Sequence, residues 1–187
     1  MRLHLVRHPR VDIGEGLCYG SSDVTAVRDE RLRTRLLTEL PRQALLFSSP
    51  LKRCADLAAA LAPALGCESA IHDERLAEMH FGDWEMRAWC DIPRSEIDAW
   101  SADLIHYRPG GGENVLQVAQ RVSAFREDLA KHDAVDVIVI CHAGTIRLLL
   151  AGERGLTLEE TALLAAQQAH AIGHGEVIVL DCATPNV

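Results

Sequence analysis

Arg2-Leu-His-Leu-Val-Arg7-His8 and Asp136-Val-Ile-Val-Ile-Cys141-His142-Ala-Gly-Thr decide how this chain is read. Each is an apolar strand that ends in a histidine, the first with leucines at alternate positions. The carboxyl ends of strands are where open α/β sheets collect their ligands. Two imidazoles at such ends, with arginines nearby, point to a site built for an anion.

Further strands are expected at Ala44–Phe47 and Val177–Leu180, with a weaker one at Ala70–His72; the two opening strands span Leu3–Val6 and Val135–Ile140. Helical stretches separate them. Ser49-Pro50 supplies an N-cap and a first-turn proline for a helix through Leu51, Ala55, Ala58, Leu61 and Leu65, which Gly66 stops. Asn114 with Gln117 makes a capping box ahead of a stripe of Val115, Val118, Val122, Phe125 and Leu129. Leu17–Asp23 and Trp100–Glu113 read as loops. Strands alternating with helices imply a three-layer α/β/α sandwich with a mostly parallel central sheet, and nothing divides residues 1–187 into a second domain.

The hydrophobic fraction of 48% and charged fraction of 25% are those of an ordinary globular chain, and no apolar run reaches the ~18 residues of a membrane span. The opening strand does not resemble a signal peptide, so a cytoplasmic protein is expected. Six cysteines without a C-x-x-C pair fit reduced thiols better than zinc or a disulfide framework. A net charge of −8 argues against a nucleic-acid partner but not against a small anionic substrate, because a few converging arginines outweigh a distant, screened acidic surface.

Three strand ends carry chemistry: Arg7-His8, Ser48-Ser49-Pro50-Leu51-Lys52-Arg53 and Cys141-His142-Ala143-Gly144. Arg53 lies in the first turns of its helix, where the macrodipole disfavours a cation unless an anion is bound there. A carboxylate should complete the set, and composition does not choose among Glu74, Glu78, Asp83 and Glu85.

These residues, with Arg75-Leu-Ala-Glu78-Met-His-Phe-Gly82-Asp-Trp-Glu85 and Gly111-Gly112-Glu113, stand in the order seen in the histidine phosphatase superfamily. The chain resembles that family over nearly its whole length, and its α-ribazole phosphatase-like branch in particular. The resemblance implies a phosphoglycerate mutase-like fold and a metal-independent phosphomonoesterase acting on a small phosphorylated metabolite. Cobalamin biosynthesis is one implied setting, with α-ribazole 5′-phosphate as the substrate. It also implies His8 as the nucleophile that becomes phosphorylated, Arg7, Arg53 and His142 as holders of the phosphoryl oxygens, and Glu78 as proton donor. No cofactor or metal is implied. Pro9 departs from the family's usual glycine, and Arg10-Val-Asp-Ile-Gly-Glu15 lacks the usual Ser/Thr and Asn ligands. Arg10, Tyr19 and Ser21 are candidate substrate contacts. His80 and Trp84 stand close enough to Glu78 to line a pocket, though Trp84 reads first as core; His4 is read as structural, and His132, His170 and His174 as surface or turn residues.

Three rival readings stay open. Cys141-His-Ala-Gly-Thr-Ile-Arg147 fits the C-x5-R loop of cysteine-dependent phosphatases, with Cys141 as nucleophile. A mutase would return the phosphoryl group to its substrate instead of to water. A non-catalytic member would only bind phosphorylated ligands.

Overall fold

The structure is a computed structural model that describes residues 1–168 and 172–182. The elements run β1 (Arg2–Arg7), α1 (Glu30–Glu39), β2 (Leu45–Ser48), α2 (Lys52–Leu65), β3 (Ile71–His72), α3 (Arg94–Ala102), α4 (Val115–Leu129), β4 (Asp136–Cys141), α5 (Ala143–Gly152), α6 (Leu158–Gln167) and β5 (Val177–Asp181). They form a mixed α/β fold around one five-stranded sheet in the order β3-β2-β4-β1-β5. The pairings β1–β4, β4–β2 and β2–β3 are parallel, and β5 lies antiparallel to β1.

Period-two alternation sorts the strand side chains onto two faces. Leu3, Leu5, Val137 and Val139 pack with residues of α4, α5 and α6. Val6, Leu46, Ile138 and Ile140 pack with α1 and α2. The two layers of helix therefore bury both faces of β1 and β4. His4 is buried on β1, and its Nε2 is 2.8 Å from Asp136 at the head of β4.

Two features of this frame position the site. Arg2 pairs with Asp136 and Arg7 with Cys141, so β1 and β4 end flush, and the His8 amide continues the ladder by donating to the Cys141 carbonyl at 3.0 Å. The antiparallel β5 brings the turn before it over the same end: Gly175 N–H donates to Arg7 O at 3.0 Å.

The expected helix after β2 exists, but its start differs. It opens at Lys52 behind Leu51, which offers no side-chain cap, and Asp23 from the loop opposite accepts from the Lys52 amide at 2.8 Å. Ser49, buried, is drawn into the site instead. Gly66 ends the helix at φ 67°, as its position predicts. The capping box at Asn114 and Gln117 is present, with Val118, Val122, Phe125 and Leu129 buried behind it. Trp100, read as the start of a loop, lies within α3.

Candidate active site

The flush ends of β1 and β4 set two imidazoles side by side, with ring centroids 5.1 Å apart for His8 and His142. Both rings are buried. His8 Nδ1 is 2.7 Å from the Pro9 carbonyl, which can only accept, so Nδ1 carries the proton and Nε2 keeps its lone pair. Burial holds His8 down to about 3, helped by Arg53, Arg7 and His174 against the Pro9 hydrogen bond, so the ring is neutral at ordinary pH. Pro9 thus fixes the tautomer of its neighbour.

Arg53, at the second position of α2, has no solvent exposure. Its guanidinium donates to Gly20 O, to Ser22 O at 2.7 Å and, through Nε, to His142 Nδ1 at 3.3 Å. Because Nδ1 accepts, His142 carries its proton on Nε2, which lies 2.8 Å from Ser49 Oγ. Burial, and then Arg53, hold this imidazole well below its ordinary value. Its single N–H is taken up by Ser49, so a direct contact from His142 to a phosphoryl oxygen requires that bond or the Arg53 bond to break.

Arg7, at the end of β1, is half-buried; one terminal nitrogen donates to Ile172 O, and Nε has no partner among the described residues. Burial lowers its guanidinium from the ordinary value; Tyr19 and Glu78 oppose that effect, whereas Arg147 and Arg53 add to it. Among the described residues neither Arg7 nor Arg53 is ion-paired. Cations withdrawn from water without a counter-charge are costly, and a bound anion removes the cost.

Glu78 comes from the segment after β3 and reaches the N-terminus of α5. Its carboxylate accepts from its neighbour Met79's amide at 3.0 Å and lies 3.5 Å from the Gly144 amide. A Cβ at Gly144 would sit 2.6 Å from Glu78 Oε1, so the glycine makes room for the carboxylate. Behind it, Arg121 of α4 donates to Arg75 O and Ala77 O, both at 2.7 Å, and to Glu78 O at 3.3 Å. Glu113 anchors Arg121 at 3.0 Å and also accepts from the His80 amide. Neither partner is singled out by the sequence as a support for Glu78; only their distance in space makes them one.

Of the other candidates, Tyr19 stacks with its ring centroid 5.6 Å from the Arg53 guanidinium carbon and lines the cavity beside Glu78. Ser21 faces elsewhere: its amide and hydroxyl donate to Glu85, which also collects the amides of Gly20, Ser22 and Phe81. Glu85 therefore organises the loop whose carbonyls hold Arg53. Arg10 is exposed and pairs with no acid among the described residues. Trp84 is fully buried, as expected, and its Nε1 donates to Glu96 at 2.7 Å; His80 is exposed.

His174 corrects the reading of it as a surface or turn residue apart from the site. Its ring centroid is 5.2 Å from that of His8, and Nδ1 is 3.3 Å from the His8 carbonyl. No local pattern marks it, because only the antiparallel return of β5 brings it there. His132 is exposed, as expected, and His170 lies outside the described residues.

The cysteine-centred rival fares poorly on geometry. Cys141 has no exposure, ends β4 within the core, and burial raises its thiol well above the ordinary value. A nucleophilic thiolate needs the opposite environment. Among the described residues no group of three or more His, Cys, Asp or Glu side chains could hold a metal ion.

A strand end that gathers a neutral imidazole, two guanidiniums and an adjoining carboxylate is suited to a phosphate-handling α/β protein. The chain belongs to the histidine phosphatase superfamily (branch 1), whose family model matches residues 3–174. It is 30% identical over 171 residues to an adenosylcobalamin/alpha-ribazole phosphatase of Salmonella typhimurium, covering 87% of this chain and 83% of that one. It is 27% identical over 165 residues to a putative phosphoserine phosphatase 2 of Hydrogenobacter thermophilus, covering 84% and 81%. Among solved structures, the alpha-ribazole phosphatase of Shigella flexneri superposes with a TM-score of 0.82 at 26% identity, covering 97% of this chain and 90% of that one. These three relatives are named as phosphatases, and this chain is a phosphoric monoester hydrolase of that superfamily. Among the described residues no helix is long and apolar enough to cross a membrane.

Proposed function

We propose that the chain hydrolyses small phosphate monoesters through a phosphohistidine on His8, as a single cytoplasmic domain that requires no metal or organic cofactor. The observation that carries this reading is the pair of guanidiniums, Arg7 and Arg53, which have no ion-pair partner among the described residues and lie beside a neutral imidazole.

The chemistry runs in two steps. His8 Nε2 attacks phosphorus while the ester P–O bond breaks, and the departing alkoxide takes the proton of the Glu78 carboxyl group. The phosphorylated imidazole keeps Nδ1–H on the Pro9 carbonyl, which steadies its positive charge. Water then attacks phosphorus and gives a proton to the Glu78 carboxylate as the P–N bond breaks, restoring neutral His8 and releasing phosphate. Positioning and charge stabilisation do most of the work in such transfers, and the fork of a guanidinium matches phosphoryl oxygens. His142 braces Arg53 and packs against the nucleophile. Relatives named for α-ribazole and phosphoserine keep α-ribazole 5′-phosphate and O-phospho-L-serine in the set of substrates to try.

Rapid-quench labelling with a ³²P-monoester tests the reading. The wild-type chain should yield an acid-labile, alkali-stable phosphoenzyme and free phosphate. His8→Ala should carry no label and lose roughly 10⁴-fold or more in kcat/KM, whereas Cys141→Ala should still be labelled. Label that survives in His8→Ala, or that depends on Cys141, overturns the proposal. Isomerised ester without free phosphate would instead mark a mutase.

A further inference from the structure

Beside Glu78 the fold holds a cavity of about 370 Å³, within the range of small-molecule sites. Met79, Phe81, Trp100, Leu104, Val115 and Leu148 make most of its wall apolar. Glu78 sits at its edge, on the side where the leaving group departs, so this cavity is where the alcohol portion of a monoester rests.

Arg147 is the one cation among the described residues that line it. One nitrogen of Arg147 donates to the Gln168 carbonyl at 3.1 Å, at the end of α6. Its Nε is buried and has no partner among the described residues. Capping α6 thus accounts for only part of the guanidinium.

Charge counting sharpens the point. Arg7 and Arg53 match the two charges of a phosphate dianion, and Glu78 must hold a proton when the alkoxide leaves. Half-buried Arg147 is then left without a paired acid among the described residues, in a mostly apolar wall where an unpaired cation is unfavourable. It is near enough to Arg7 to lower that group further.

Building on the phosphatase reading above, we infer that the substrate's leaving group is a hydroxy acid: an apolar body bearing a carboxylate that pairs with Arg147. The apolar wall takes the body and the guanidinium takes the carboxylate as a bidentate partner. A neutral leaving group of the same size fills the cavity but leaves Arg147 unpaired.

A matched pair of ligands tests this. 4-(Carboxymethyl)phenyl phosphate and its methyl ester share one body and nearly one leaving-group acidity, and differ in a single charge. The wild-type chain should prefer the acid by about 10- to 100-fold in kcat/KM, the range of a hydrogen bond to a charged group. Arg147→Gln should bring that ratio close to one, and Arg147→Lys should keep part of it. A wild-type ratio near one, or a ratio that survives in Arg147→Gln, overturns the inference. The second outcome is what a purely helix-capping Arg147, or one that holds the transferred phosphate, would produce. Calorimetric binding of the corresponding benzylphosphonates should show the same ratios without turnover. Failure of catalysis on every ester would therefore count against the phosphatase reading, while loss of discrimination between the phosphonates would count against this one.

Discussion

The two sides of the site are built from different materials. The side of the proposed nucleophile rests on the ends of β1 and β4, where parallel pairing in register leaves His8 and His142 side by side with no adjustable joint between them. The leaving-group side is made of connections: Glu78 on an irregular segment, Tyr19 on a loop tied down by Glu85, and aromatic residues from the stretch around α3. The difference separates chemistry common to all phosphate esters from recognition of one alcohol. A rigid sheet holds the first within small tolerances, whereas loops vary the second without disturbing the core.

The comparison breaks most readily at Glu78. Glu78→Gln keeps size and polarity but removes the proposed proton donor, and should cost about 10²- to 10⁴-fold in kcat with an alkyl phosphate. With p-nitrophenyl phosphate, whose leaving group needs little protonation, the first step should be far less affected. Burst kinetics on the two esters checks this. An equal loss in both steps and on both esters would mean that Glu78 supports the cradle rather than the leaving group.

A second expectation concerns the strand-end side. The folded-state value of His8 lies at about 3, below its ordinary 6.5, so the unfolded chain binds the proton first as pH falls. Stability from keeping His8 neutral is therefore complete above pH ~6.5 and is lost as pH falls towards ~3, a change on the order of a few kcal/mol. Buried His142, shifted the same way, adds to the slope. Urea unfolding between pH 7 and pH 4 should show the decline, and His8→Gln should flatten it. An unchanged slope in His8→Gln would mean that the ring titrates alike in both states.

The smallest expected effect lies where the two sides meet. Gly144→Ala places a methyl 2.6 Å from the Glu78 carboxylate and should displace it, lowering kcat roughly tenfold with little change in the urea midpoint. Full activity in this variant would show that the loop side adjusts freely against the sheet side.

How much could be read in the sequence follows the same division. Arg7-His8 and Cys141-His142 were legible because strand ends have a local signature and both histidines terminate one. Arg53 was legible because a cation at the start of a helix is out of place without an anion. Ser49 was misassigned as an N-cap because its residue type suits that role; only the packing of α2 against β4 shows its hydroxyl facing His142 and Asp23 satisfying the helix amide. Ser21 stood in the right loop with its hydroxyl on Glu85, since a loop's position says little about where its side chains point.

The sequence by itself determined the alternating α/β order, the two strand-end histidines, the guanidiniums and the set of acids from which Glu78 comes. These follow from periodicity and residue chemistry, which are properties of neighbours along the chain. Tertiary structure alone decided which tautomer each imidazole takes, that Arg121 and Glu113 hold the backbone of Glu78, that His174 abuts His8 and that Arg147 faces an apolar cavity. Each of these depends on groups far apart in sequence that a sheet register or an antiparallel return brings within a few ångströms, and hydrogen bonds and desolvation act only over that range.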